Sequence, residues 1–216
     1  MTKRPTAPHH TPQDADNSKN PADGRAARSQ RTRLAIIDAI RALNDEGDLR
    51  PTAPRIAKQA GVSLRTVWMH FEDMESLLAH AGRRDVEILL SLLEPIPPQS
   101  PLAERIEAFV AQRAHVLETM APSWRAARIH EPFSAELRLI KQETLALARA
   151  DVESVFDTEL ARLPAPAREV LLDALLATSV WPYWETLRTD LHLSEEQART
   201  TLDLTIRGLL SRTELH

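Results

Sequence analysis

The 216-residue chain contains no cysteine, so it has neither a disulfide framework nor a thiolate metal site. Aromatic residues make up 4% of it and glycines number five, too few for the aromatic strands and glycine-rich turns of an all-β fold. No run of 18 apolar residues occurs, so no membrane-spanning helix is expected. The N-terminus lacks the apolar core of a secretory signal, which makes the cytoplasm the expected location. There is no glycine-rich phosphate loop and no nucleophile-elbow serine. None of the eight histidines stands in an HExxH setting. An enzyme, a cofactor and a bound metal are therefore not expected. What is abundant is Ala, Leu, Arg and Glu, all good helix formers, and no strand pattern interrupts them. The chain reads as all-α.

The net charge is −4, an unpromising balance for a partner of nucleic acid, but the charge is unevenly distributed. Residues 1–74 carry 12 Lys and Arg against 9 Asp and Glu, whereas residues 75–216 carry 15 against 22. Arg25, Arg28, Arg31 and Arg33 follow one another with no acid between them. Such a basic arm can neutralise phosphates and release counterions, although a solvated tail has the same composition. Residues 1–24 are rich in Pro, Asp, Asn and Ser. They have too few apolar side chains to offset the entropy of ordering, so they are expected to be disordered.

Helices follow. The first is expected over 29–44, with Leu34, Ile37, Ile40 and Leu43 on its buried stripe. Residues 52–71 read TAPRIAKQAGVSLRTVWMHF, two short helices around a tight turn. Thr52 and Ser63 are placed to cap them through their hydroxyls. Gly61 supplies a positive φ between them, and Ala60 allows a close crossing. Ile56, Ala57, Val67 and Phe71 face inward, leaving Arg65, Thr66, Trp68, Met69 and His70 on the surface. Two short helices in this register form a helix-turn-helix, which lays its second helix in the major groove of DNA. Asp73 caps a fourth helix that runs to the prolines at 95, 97 and 98 and bridges two parts of the molecule, making it a lever between them. Beyond it the prolines at 122, 132, 164 and 166 divide the chain into helices over 102–121, 124–130, 135–163 and 167–188, the last kinked at Pro182. Ser194 with Gln197 forms a capping box for a ninth helix.

The residues at 52–71 resemble the TetR family of bacterial transcriptional regulators. In register are Thr52, Ile56, Ala57, Ala60, Gly61, Val62, Ser63, Thr66, Val67, Trp68, His70 and Phe71, then Leu77 and Leu78. The match spans Leu34 to Leu78; beyond that only helix layout and length agree. The resemblance implies a nine-helix architecture. After the tail (1–24), a helix-turn-helix DNA-binding domain with its basic arm (25–78) would precede a larger helical domain for ligand binding and dimerisation (79–216). It implies backbone contacts from Thr52, Thr66, Trp68 and His70, and base-facing positions at Leu64, Arg65 and Met69. Ser63 and the arm residues Arg31 and Arg33 complete the expected DNA surface. One departure stands out: Met74 occupies a position where the family commonly has a Lys that donates to the DNA backbone.

The expected partners are a near-palindromic double-stranded DNA operator, a second copy of the chain and a small-molecule effector. By their sequence the last two helices are apolar on more than one face, and pairing about a twofold axis would cover the second face. Candidate effector-lining residues are Phe109, Arg113, Met120, Trp124, Arg128, Phe133, Trp181, Tyr183 and Trp184, which would suit an apolar or aromatic molecule. Any of them can equally be ordinary core. The overall expectation is a homodimeric, ligand-released regulator, acting as a repressor at the nucleoid. The alternatives are a regulator of the same fold controlled by a protein partner, and a helical enzyme or adaptor that has kept the motif unused.

Overall fold

The computed structural model describes residues 21–211. Among them are nine α-helices and no strand. The helices are α1 (Pro21–Asp45), α2 (Ala53–Gln59), α3 (Leu64–His70), α4 (Met74–Leu92), α5 (Leu102–His130), α6 (Ala135–Leu160), α7 (Ala165–Ser179), α8 (Trp181–Glu185) and α9 (Glu195–Leu210). A 3-10 turn, Glu131–Phe133, joins α5 to α6, and a π-helical turn, Thr186–Asp190, follows α8.

The first helix starts earlier than its apolar stripe. Of the expected tail, residues 1–20 lie outside the described residues, and 21–24 already belong to α1. Ile36, Ile37, Ile40 and Leu43 of α1 pack with Ile56, Ala57, Val67, Phe71 and Leu77 into one apolar cluster.

A second and larger cluster is built by α5, α6, α7, α9 and the α8 turn, around Phe109, Phe156, Leu172, Leu175, Trp184 and Leu202. Its helices are also tied by charge. Arg105 of α5 grips Glu159 of α6 with two hydrogen bonds (2.9 and 2.7 Å) and donates to the Val155 and Ser100 carbonyls. Both side chains are at most 4% exposed. Phe156 departs from helical geometry (φ −113°, ψ 20°), so α6 bends beside that pair and ends at Leu160, short of the expected 163.

Two prolines act differently from their sequence reading. Pro122 does not divide the chain: α5 runs through it. The ring removes one backbone bond and crowds the preceding turn. Met120, Ala121 and Ser123 are buried around it, so packing on both sides carries the helix across the gap. Nor does Pro182 kink one long helix. The chain breaks earlier, at extended Val180 (φ −105°, ψ 162°), and Pro182 then stands in the first turn of α8, where its missing N–H costs nothing. The Ser194–Gln197 capping box forms as expected, with both reciprocal bonds present.

The outer faces of the last helices are less apolar than their sequence implies. Leu171, Leu172, Leu175 and Leu176 of α7, and Leu202, Ile206 and Leu210 of α9, are buried within the chain itself. Val170 and Leu204 are the large apolar side chains these two helices expose.

Candidate functional site

The turn between α2 and α3 is built by a few local devices. Gly61 sits at φ +67°, a conformation that strains any residue with a Cβ. The Val62 N–H returns to the Ala57 carbonyl at 2.9 Å. Ser63 caps α3: its hydroxyl oxygen accepts from the Thr66 N–H at 3.0 Å and lies 2.8 Å from the Thr66 hydroxyl. Thr52 stands at the α2 N-cap but makes no side-chain cap bond. The expected cap is thus absent, and its exposed hydroxyl is left for another partner.

Val67 and Phe71 anchor α3 inward. The opposite face shows Leu64 and Trp68, each 40% exposed, Met69 at 73%, and exposed Arg65. Three large apolar side chains on one seven-residue helix have no covering partner among the described residues. Thr66 and His70 are half-buried beside them. Met74 is half-buried too and packs on the apolar cluster of α1–α3. The thioether therefore serves the core at a point where a Lys would reach outward.

The basic arm divides. Arg25, Arg28 and Arg31 are exposed. Arg33 turns inward: its guanidinium lies 4.9 Å from the centre of the Phe71 ring and donates to the His70 carbonyl at 3.4 Å. It braces the C-terminal end of α3 and is not free in the way an unattached arm would be. Sequence reasoning passed over Arg50 and Lys58, exposed cations flanking Thr52 and on α2. Their only signal was the local charge count. Arg55 is held by Asp48 at 2.9 Å.

A cavity of about 510 Å³ opens among α4, α5, α6 and the α7–α8 break. Its walls are mainly aliphatic, from residues such as Val86, Leu89, Leu117, Leu137 and Ile140, with Trp124 and Trp181 supplying aromatic surface. The break at Val180 brings Ser179, Val180, Trp181 and Pro182 onto the wall. Gly82 of α4 lets α6 approach closely, since a Cβ there would meet the Ile140 side chain at 3.1 Å.

Of the nine expected lining residues, Arg113, Trp124, Arg128 and Trp181 line this cavity. The other five are used elsewhere. Phe109 packs edge-on against Phe156 in the core. Met120 is fully buried between α4 and α5. Trp184, 1% exposed, donates its indole N–H to Glu118 at 2.7 Å. The Tyr183 hydroxyl pairs with that of Thr205 at 2.9 Å. Phe133 is 84% exposed on the 3-10 turn. Aromatic content pointed to the region of this cavity without distinguishing wall from core.

The polar groups of the wall are mostly engaged. Arg113 pairs with Asp151 and lies over the Phe109 ring; burial pushes the Asp151 carboxyl above its ordinary range despite that partner. Lys141 is bonded to Glu131 at 2.8 Å. Arg128 stands 5.7 Å from the centre of the Trp181 ring. Asp85, which sequence reasoning missed because nothing local distinguishes it, also stands on the wall. It pairs with Arg41 of α1 at 2.9 Å. Burial raises its carboxyl to about 6, partly offset by Arg41 and by a bond from Ser123.

The fold is that of solved transcriptional regulators. A transcriptional regulator from Rhodococcus sp. Rha1 superposes with a TM-score of 0.66 at 23% identity, over 85% of this chain and 96% of that one. A protein from Mesorhizobium loti, titled as a TetR-family transcriptional regulator, superposes with a TM-score of 0.60 at 19% identity, over 85% and 97%. No family model matches the sequence, and no curated protein matches it. The nine-helix, TetR-like architecture that the resemblance implied is therefore the architecture of the described residues. No helix among the described residues is long and apolar enough to cross a membrane.

Proposed function

We propose that this protein is a DNA-binding transcriptional regulator whose hold on its operator is controlled by a small molecule in the α4–α8 cavity. The observation that carries the reading is the outer face of α3. Leu64, Arg65 and Met69, with Trp68 beside them, stand uncovered on a helix held rigidly by the Gly61 turn, the Ser63 cap and the Val67–Phe71 anchor. In a helix-turn-helix, such a face meets base edges, while flanking hydroxyls and cations meet phosphates. Thr52, Ser63, Thr66, Trp68 and His70 take the backbone, with Arg31 and its exposed neighbours adding charge. Arg33 acts indirectly, by holding the end of α3.

Residues 25–78 form the DNA-reading part and 79–216 the effector and pairing part, with α4 crossing the boundary. The chain works as a homodimer through α7 and α9, with Val170 and Leu204 in the contact. Its two copies of α3 stand about 34 Å apart, one DNA turn, or somewhat more. It acts as a repressor in the cytoplasm, at the nucleoid. An open cavity favours a small-molecule effector over a protein partner, which has no need of one. The inward packing of Met74 gives that residue a structural role, so the missing Lys does not argue for an unused motif.

Selection of genomic fragments by the purified protein tests the reading. Enrichment of one near-palindromic site is expected; recovery of no common site would remove it. Sedimentation at micromolar concentration tests the pairing, and a monomer there would remove the dimer.

A further inference from the structure

The cavity and the DNA-reading helices share one side chain. Asp85 of α4 stands on the wall of the 510 Å³ cavity and also lines a small cleft with Arg41, Asn44 and Ser123. Its Oδ1 accepts from Arg41 Nη1 at 2.9 Å and from the Ser123 hydroxyl at 3.1 Å. Its Oδ2 accepts no hydrogen bond among the described residues and is not sealed from solvent. Arg41 in turn reaches across from α1 to α5, donating to the Thr119 carbonyl at 3.2 Å and lying 3.9 Å from the Met120 sulfur. One carboxylate thus holds the cation that fastens α1 to α5.

The other charged and polar wall groups offer less. Arg113 is answered by Asp151, and Lys141 and Glu131 answer each other. The Thr144 and Ser179 hydroxyls donate to carbonyls of their own helices. The unpartnered N–H groups of Arg113 Nε and Trp181 Nε1 are sealed from any molecule in the cavity. The Arg128 guanidinium has no hydrogen-bond partner among the described residues, but it is exposed to solvent beside the Trp181 ring. Among the half-buried and buried groups of this wall, open hydrogen-bonding capacity is therefore an anionic acceptor, set among aliphatic and indole surfaces. That combination suits a positively charged donor carried on an apolar body.

We propose that the effector is an apolar or aromatic amine whose ammonium group engages Asp85, and that this weakens the Asp85–Arg41 bond and loosens α1 from α5. The proposal rests on the reading of the cavity as an effector site. An ammonium at Oδ2 brings a second positive charge beside the Arg41 guanidinium, and the repulsion between the two cations offsets part of the attraction that keeps Arg41 in place. Arg41 then has only the Thr119 carbonyl and a sulfur to hold it, and α1, which carries the core of the DNA-reading helices, gains freedom relative to α4 and α5.

The test uses three probes sharing one ring system: naphthylmethylamine, naphthalenemethanol and naphthoic acid. Calorimetry on the full chain should show the amine binding about tenfold tighter than the alcohol, the effect of one charge-assisted hydrogen bond, with the acid weakest. In Asp85→Asn the amine should lose that advantage. Hydrogen exchange across residues 36–44 should quicken when the amine binds wild-type protein, and should change little in Arg41→Met, where the bond is already absent. Should Asp85→Asn fail to fold, the wild-type ranking still decides, together with a shift of the Asp85 carboxyl carbon resonance induced by the amine alone. If the acid binds tightest, or the amine keeps its advantage in Asp85→Asn, the proposal is overturned while the effector site stands. Unchanged exchange in α1 with the amine bound overturns the coupling. If none of the probes binds, the effector-site reading falls together with the proposal.

Discussion

The α1–α3 unit and the α5–α9 bundle solve the packing problem in different ways. In the first, ten buried apolar residues close a small core, and the polar work is local: a glycine turn, a serine cap and an arginine brace on one carbonyl. In the second, a larger apolar core is crossed by long-range charge, with Arg105–Glu159 fully enclosed and Arg113–Asp151 nearly so. The first unit leaves its spare apolar side chains outside, on α3. The second keeps its spare apolar surface around an internal space. Under the function proposed above, this contrast suits a reader that meets DNA by surface and a sensor that meets a small molecule by enclosure, with α4 belonging to both.

The largest expected effect tests the charged side of that contrast. Removing one member of an enclosed ion pair strands the other, so Glu159→Ala should cost about 3–5 kcal/mol in denaturant unfolding. Replacing both partners, Arg105→Met with Glu159→Leu, should recover most of the loss; a double variant as unstable as the single would show that the pair is needed in itself. Next comes the apolar side. Ile56, fully buried among α1–α3, should cost about 2–5 kcal/mol as Ile56→Ala. Hydrogen exchange should place the damage in residues 36–77 and spare α9; equal loss in both would mean that the two clusters unfold as one.

Smaller effects read the interface. Arg65→Ala should lose about 1–3 kcal/mol of discrimination at one operator position if it grips a base; a uniform loss across sequences would mark a phosphate contact instead. Ser63→Ala should cost about 1 kcal/mol through the lost α3 cap, seen as a lower midpoint in thermal unfolding, whereas Thr52→Ala, with no cap bond to lose, should leave that midpoint nearly unchanged. The subtlest effect concerns pH. Asp85 holds its proton more tightly when folded, with its carboxyl raised from 3.8 to about 6 by burial, against the pull of Arg41 and with a small push from Asp45. Its contribution to stability is therefore fully present below about 4 and is lost as the pH rises through 6. Asp85→Asn should flatten unfolding curves across that window, and an unaltered slope would mean that other groups set it.

Legibility followed the range of the interactions. The α2–α3 turn could be read because Gly61, Ser63, Val67 and Phe71 act within a few residues of one another, and the Ser194–Gln197 box for the same reason. Arg33 was assigned to a free arm because its partner, the His70 carbonyl, lies 37 positions away. Pro122 was read as a break because its local cost is plain, while the packing that overrides it comes from other helices. The aromatic candidates shared this limit. Trp181 reaches the cavity and Trp184 the core, three residues apart on one short helix, and only the break at Val180 determines which way each faces.

By itself the sequence determined that this protein is helical, that it has a turn built to present a helix, and which side chains that helix shows, because short-range sterics, capping and apolar periodicity act within a turn or two. The tertiary structure alone decided where the cavity lies, which residues form its wall, and that Asp85 joins it to Arg41. Those contacts join helices 40 and more positions apart, and no local pattern encodes which of many compatible partners will meet.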